Sequence, residues 1–590
     1  MERAQIVDIL EEIAVLLELK GENAFKIRAY QSGARAIESL EENLDALIEA
    51  DELVKVPGIG KALAEKIVTL RQTGKLEFYD KLKASIAPGL LDMLDIPGFG
   101  PKKIRKIHDE LGVETLDQLT EACKDGRIEA LPGFGKKSVE NLLRGIANRE
   151  AYSRRHLWWD AAKVAWPMLK QIRALPQVIR AEAAGSLRRG RETVGDLDFI
   201  VASDEPAPIM DWFCSQDGIE EVSAKGETKS SIRMQGGLQA DLRVVPDSRF
   251  VFALHHFTGS KDHNVKMRQR ALARGFSLSE WGLFDKTAER DASAPQWERE
   301  LAVEGIQTEA DLFKALELES IVPELREGLD ELELAEKSRL PELIEERHIR
   351  GSFHNHTTAS DGKATLEEMA AAADNLGWEY LGIADHSKAS FQANGLDEKR
   401  LLSQIEKIRN LNASGQFKVH VFAGCEIDIL KDGSLDLDID VINQLDYCVL
   451  SIHSSMTGNS EAAMTERFIK AFEAPVKIPR MLGHLSGRLL LRREGYALDT
   501  RRVVEEAAQQ KVLIELNANP YRLDMDWRHW RAAAEAGVRC VINPDAHSAE
   551  GFAYMRAGIL SARKGWLSPD NVFNTQSLAE IRKEWNLPQR

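Results

Sequence analysis

The apolar positions of this chain follow three rhythms. Near the amino terminus Ile6, Ile9, Leu10, Ile13, Leu16 and Leu17 recur at three- and four-residue intervals, which predicts an amphipathic helix packed onto a small helical domain. Later the period becomes two: Leu197 and Phe199 alternate with Asp196 and Asp198, and Ala240, Leu242 and Val244 alternate with Asp241. Successive side chains point to opposite faces of a strand, so both segments predict strands with an apolar inner face and carboxylates on the other. After Arg350, short apolar runs alternate with helical stretches, as in YLGIADHS and CVINPDAHS, and predict a β/α barrel.

At 590 residues the chain exceeds what one hydrophobic core usually supports, so several domains are expected. Its early apolar run IAVLLEL is short, broken by Glu18 and without a basic leader, which predicts neither a signal peptide nor a membrane span. The five cysteines include no CxxC pair, arguing against a disulfide framework or a thiolate zinc site and for a reducing, cytoplasmic location. A net charge of −16 would argue against nucleic acid, but 285–350 alone carries nine Lys or Arg against nineteen Asp or Glu. Most of the deficit is therefore local, and the remainder is open to phosphate binding.

One pattern occurs three times: VPGIGKALAEKI from Val56, IPGFGPKKIRKI from Ile96 and LPGFGKKSVENL from Leu131. Proline fixes φ, the glycine pairs Gly58 and Gly60, Gly98 and Gly100, and Gly133 and Gly135 permit a tight turn, and a helix amino terminus follows. Lys61, Lys102, Lys103, Lys136 and Lys137 add cationic contacts. A single such turn is an ordinary helix connector. Three copies with lysines resemble helix-hairpin-helix motifs, which grip the DNA backbone without reading sequence.

Between the repeats and the barrel lies Gly185–Val201, GSLRRGRETVGDLDFIV. A lone DxD can be a solvated strand end, but Asp241 supplies a third carboxylate, and three carboxylates can hold two divalent metals for nucleotidyl transfer. Gly185 and Ser186 would meet phosphates, with Arg188 and Arg189 neutralising charge. The segment HHFTGSKDHNVKMRQRA follows from His255; its histidine tandem lacks partner ligands for a metal of its own. Taken in order, residues 1 to about 340 resemble the family X DNA polymerases. The resemblance implies that His256, Phe257 and Gly259 lie against the incoming sugar and that Asn264 and Arg268 contact the nascent pair and the template. His256 stands where the family usually has tyrosine. It also points to Lys66, in GIGKALAEKI, as the lysine that can form a Schiff base with a sugar aldehyde, chemistry that needs a neutral amine.

In the barrel, His354 and His356 alternate in SFHNHTTASD ahead of Asp361, and His386, Glu426, His453, His484, Asp545 and His547 are expected to close other strands. Histidines after single strands are usually hydrogen-bonded core residues; six accompanied by three carboxylates are not explained that way. This part resembles the PHP (polymerase and histidinol phosphatase) domain as far as about residue 570. The resemblance implies a centre of three Mn, Zn or Fe ions cleaving phosphoesters. Ser352 and Pro544 depart from residues common in that family. Cys425 is expected to pack, Glu515 and Asn517 to line the site without binding metal, and Arg488 and Arg522 to meet phosphate.

The fold class expected is thus a multidomain α+β polymerase followed by a β/α PHP barrel. Its domains are a lyase-like helical domain over 1–85, fingers with helix-hairpin-helix motifs over 86–150, a nucleotidyltransferase palm over 151–245, a thumb with acidic connection over 246–340, and the PHP domain over 348–590. The function expected is gap-filling DNA synthesis in repair, using Mg or Mn, dNTPs and gapped or primed DNA, with 3′–5′ exonuclease activity in the barrel. The resemblance allows a 5′-deoxyribose phosphate lyase or abasic-site endonuclease as well. The protein is expected to act as a monomer near the nucleoid, away from membranes. Two rivals remain open: a PHP phosphoesterase using the polymerase part only to grip DNA, and a DNA-binding scaffold without catalysis.

Overall fold

The computed structural model describes residues 1, 3–38, 44–96, 99–147, 155–286, 300–456, 459–493 and 495–587. By internal contacts it divides into two compact units, Met1–Arg154 with Val201–Leu316, and Arg155–Ile200 with Glu317–Arg590.

In the first unit the opening rhythm becomes the helix Arg3–Leu19, with Ile6, Leu10, Ile13, Leu16 and Leu17 buried and Ile9 half-buried. It packs on Ala24–Glu38 in a core that continues to Leu142. Each repeat opens a helix as the sequence predicts: Gly60 precedes Lys61–Thr73, Gly100 precedes Pro101–Leu111 and Gly135 precedes Lys136–Ala147. Gly58 and Gly133 sit at φ of 96° and 89°, where an L side chain would be strained. Gly98 lies outside the described residues, and Lys137 is described by its backbone alone. The unit also holds the antiparallel strands Ile219–Lys225, Lys229–Met234 and Gln239–Val245. The last buries Ala240, Leu242 and Val244 on one side, as their alternation requires. Beyond it, the helices Phe250–Thr258 and Lys261–Ala273 meet at Gly259.

The second unit contains the helix Trp158–Ala174, the strand Arg180–Ala183 and the first five residues of the strand Asp196–Ala202. Its larger part is built from parallel strands. Gly351–Ser352, Tyr380–Ile383 and His420–Ala423 form one sheet; Glu426–Asp428, Cys448–Ser451, Arg480–Leu482, Leu513–Asn517 and Cys540–Asn543 form the other. Bridges from His386 to Glu426 and from Asn355 to Ala546 join the two sheets on both sides and close a barrel. Several helices outside it begin at a side chain that accepts from a first-turn amide: Thr365, Asp397, Ser460, Asp499 and Asp526, which satisfies donors a helix start leaves open.

The strands use both faces. Leu381, Ile383, Val421, Leu450, Leu482, Ile514 and Ile542 pack in the core shared with the outer helices, while Phe353, Tyr380, Phe422, Tyr447, Met481 and Val541 fill a second core inside the ring. Tyr447 closes that interior, its hydroxyl donating to the Ile383 carbonyl at 3.1 Å. The barrel is therefore plugged from within, and polar chemistry is confined to the carboxyl ends of its strands.

Candidate functional site

At those carboxyl ends the structure gathers all nine side chains singled out as barrel ligands. Glu426 is the hub. One carboxylate oxygen lies 2.9 Å from His484 Nε2 and 3.3 Å from His453 Nε2; the other lies 2.8 Å from His386 Nδ1, 3.3 Å from His354 Nε2 and 3.8 Å from His356 Nε2. Asp361 faces His386 at 3.6 Å and His547 at 3.4 Å, and Asp545 lies 3.1 Å from His356 Nε2.

Three groups have ligand atoms close enough to share an ion: His356, Asp361, His386 and His547; His354, His356 and Glu426; and His386, Glu426 and His453. The donor set fits divalent metals, since mixed imidazole and carboxylate ligands suit Mn, Zn and Fe. A second observation agrees. His356 Nδ1 and His484 Nδ1 are buried without a hydrogen-bond partner among the described residues, and His354 Nε2, His386 Nδ1 and Glu426 Oε2, though close to one another, do not meet in hydrogen-bond geometry, a state that buried polar atoms ordinarily avoid.

Electrostatics describe the same demand. Burial opposes charge on Glu426, but His453, His354 and His386 hold its carboxyl well below the ordinary range. Asp545 behaves likewise through His354, His356 and His547. His386 and His453 are depressed by burial yet raised to about 10 and about 9 by Glu426, with Asp361 and Asp428 assisting respectively. His356 moves the other way, to about 4, driven by burial and by His386 and His547. These imidazoles and carboxylates compensate one another's charge, a task bound cations would take over.

Local structure explains the placement and corrects two details. The strand ends at Ser352, so His354 and His356 lie just beyond it, where the Asn355 side-chain Nδ2 donates to the Gly382 carbonyl and to Ser352 Oγ. Glu426 both follows one strand and opens the next, at the step from the first sheet to the second. Asp545 adopts φ of 50°, and its carbonyl is 3.0 Å from His547 Nδ1.

Supporting carboxylates surround the ligands. Glu515 is fully buried and 2.7 Å from His354 Nδ1, so it lines the site as expected. Asp428 holds His453 Nδ1 at 3.1 Å, and Asp385 accepts from the Thr357 amide, Thr357 Oγ1 and Ser360 Oγ beside Asp361. Such outer carboxylates fix ring orientation. Asp428 was within reach of sequence reasoning, being two residues past Glu426 on the same strand face; Asp385 reads simply as part of the run before His386. The Cys425 thiol donates to the Asp385 carbonyl at 3.2 Å, and burial pushes it well up, in keeping with packing.

The two arginines part company. Arg522 lines the cleft over the ligands, a space of roughly 500 Å³. Its Nε is 3.6 Å from Asp545, and its buried Nη1 has no hydrogen-bond partner among the described residues. Arg488 does not meet the cleft: its guanidinium is taken up by Glu192, by Asp526 at 2.8 Å and by the Arg522 and Leu523 carbonyls.

Elsewhere in the second unit, Asp196 and Asp198 alternate with buried Leu197 and Phe199. Gly185, at φ of 61°, lies so close that a Cβ there would stand 2.3 Å from Asp198 Oδ2, so only glycine fits the turn carrying Ser186. Arg188 ends that turn. Arg189 departs from its expected role: only 14% exposed, its Nε is 3.0 Å from Glu327 Oε1, and Arg191 and Lys564 join the same carboxylate.

In the first unit, Asp241 lies opposite Ser231 across the sheet, with Lys229 Nζ 3.1 Å from one oxygen and Gln239 Nε2 3.1 Å from the other. His256 packs edge-on against Phe257 at 4.9 Å, its carbonyl accepts from Asn264 Nδ2 at 2.7 Å, and Arg268 Nε donates to the Asn264 carbonyl at 3.3 Å. These residues flank Gly259, between the two helices. Lys66 Nζ lies over the rings of Tyr30 and Phe78, 5.6 and 4.9 Å from their centroids. Among the described residues no helix is long and apolar enough to cross a membrane.

Family models match four stretches: a helix-hairpin-helix domain over 1–76, a SAM-like helix-hairpin-helix tandem over 90–148, the DNA polymerase beta thumb over 253–327 and the PHP domain over 352–519. The chain belongs to the family X DNA polymerases that carry a PHP domain. It is 38% identical over 583 residues to the DNA polymerase/3′-5′ exonuclease PolX of Bacillus subtilis (strain 168), covering 98% of this chain and 99% of that protein. DNA polymerase lambda of Rattus norvegicus is 26% identical over 47% of this chain and 48% of its own, and that of Arabidopsis thaliana 23% over 53% and 59%.

Proposed function

We propose that the chain fills short gaps in DNA during repair and trims 3′ ends with the barrel, as a DNA-directed DNA polymerase and metal-dependent 3′–5′ exonuclease. The nuclease assignment is carried by the three ligand groups at the barrel mouth, linked pairwise through His356, His386 and Glu426. The likeness to PolX over nearly the whole chain supports uniting it with a polymerase.

Asp196, Asp198 and Asp241 would hold Mg or Mn, and the nine barrel residues would hold three ions drawn from Mn, Zn and Fe. Bound there, such ions lower the pKa of a hydroxyl or water and offset charge on phosphate. The chain's own groups orient the substrate. In the polymerase, Gly185 and Ser186 approach the dNTP phosphates with Arg188, Arg189 steadies the Gly185 turn through Glu327, and the Phe257–Gly259 turn takes the sugar. In the barrel, Glu515 and Asp428 aim His354 and His453, and Arg522 meets the scissile phosphate. The glycine turns and the lysines behind them hold the DNA backbone for both activities. The protein works as a monomer in the cytoplasm, at the nucleoid.

Metal analysis with a trimming assay tests the barrel. Three ions per chain in the barrel are expected, chelation should abolish removal of 3′ nucleotides, and Mn should restore it. Trimming that survives exhaustive chelation would overturn the reading.

A further inference from the structure

We propose that Phe391 is the platform on which the base of the 3′-terminal nucleotide stacks while its phosphodiester lies at the barrel ligands; this rests on the nuclease reading above. Phe391 is 88% exposed. It lies in the short turn Phe391–Ala393 on the wall of the cleft that holds His386, Glu426, His453 and Arg522. Leaving a phenyl ring in water forfeits the roughly 1.5–3 kcal/mol that burying such a side chain contributes, and no other ring or cation packs on it among the described residues.

The turn is not loosely attached. On one side Ala389 donates its amide to Asp436 at 2.8 Å, and Ser390 Oγ donates to Asp428 at 2.6 Å, the carboxylate that also holds His453. On the other, Asn394 reaches the Ser360 carbonyl, next to Asp361, at 3.3 Å, and Arg400 grips the Asn394 carbonyl at 3.0 Å. The turn that carries the ring is thus tied to the ligand shell from both sides.

Apart from histidines, Phe391 is the one aromatic among the described residues lining that cleft. Apart from Ala389 and Ala393 the rest of the wall is polar, and the Arg522 nitrogen left without a hydrogen-bond partner among the described residues suits a phosphate. A nucleotide brings both needs together, an anionic phosphodiester and a flat apolar base, and a cleft of this volume accommodates one. Stacking on an aromatic ring is indifferent to base identity, as trimming of arbitrary ends requires.

The test uses the full chain with Mn and 5′-labelled single-stranded oligonucleotides ending either in thymidine or in an abasic tetrahydrofuran residue. Wild type should prefer the base-bearing end in kcat/KM. Phe391→Ala should reduce that preference about tenfold, mainly through KM, within the range of single-base stacking losses, and Phe391→Trp should retain it. An unchanged preference in Phe391→Ala, or equal losses on both ends, would overturn the platform while leaving the nuclease intact. A wild-type chain that trims neither end would overturn the nuclease reading and this inference with it.

Discussion

Glu192 and Arg488, 296 residues apart in sequence, form a buried ion pair. Glu192 lies four residues before Asp196, in the segment that carries the turn at Gly185. Arg488 follows His484 and also binds Asp526 and the carbonyls of Arg522 and Leu523. One guanidinium thus fastens the polymerase segment of the second unit to loops of the nuclease site.

Removing Glu192 leaves a buried guanidinium with one carboxylate instead of two. Glu192→Ala should cost about 3 kcal/mol of unfolding free energy, and Arg488→Met a similar amount. Because the two touch, the double variant should lose less than the sum. Urea unfolding of the four proteins checks this, and strictly additive losses would deny the coupling.

Glu327 gives a pH dependence. Burial raises its carboxyl, but Lys564, Arg189 and Arg191 outweigh burial and hold it below 4.5. An acid depressed in the folded state contributes stability above its ordinary value and loses it as pH falls through the lower folded value. Glu327→Gln should therefore cost about 3 kcal/mol at pH 6, and the gap to wild type should narrow as pH falls below 4.5. A gap that stays constant from pH 6 to 3 contradicts the assignment.

Glu515 orients His354. Glu515→Gln should weaken metal retention by about 10- to 100-fold and lower trimming correspondingly, with partial recovery in excess Mn. Metal titration of the chelated protein measures it; unchanged affinity would reduce Glu515 to a packing role.

Lys66 Nζ is held over two rings in a cation–π contact, which attack on a sugar aldehyde would have to break. Borohydride trapping on 5′-abasic DNA should yield at most a trace adduct. A strong adduct that Lys66→Ala removes would assign lyase activity to this residue.

What the sequence disclosed divides along physical lines. Period-two alternation placed Asp196, Asp198 and Asp241 on strands, and apolar runs ending in His386, His453 and His484 led to a ligand shell. Those signals are local, written within a few residues. Glu192–Arg488 and Arg189–Glu327 are not local; no periodicity announces a pair formed across the fold, so both arginines read as phosphate ligands until their partners were seen. Phe391 escaped for the opposite reason, since an aromatic in a loop carries no sign of its exposure.

The central claim is that one chain holds two separable active sites. The most direct measurement follows extension and shortening of a labelled primer on single-nucleotide-gapped DNA, with Mg or Mn, for wild type, Asp196→Ala and His354→Ala. Asp196→Ala should still shorten the primer but add no nucleotide, and His354→Ala should fill the gap but shorten nothing. Loss of both activities in either variant, with the fold intact, would contradict it.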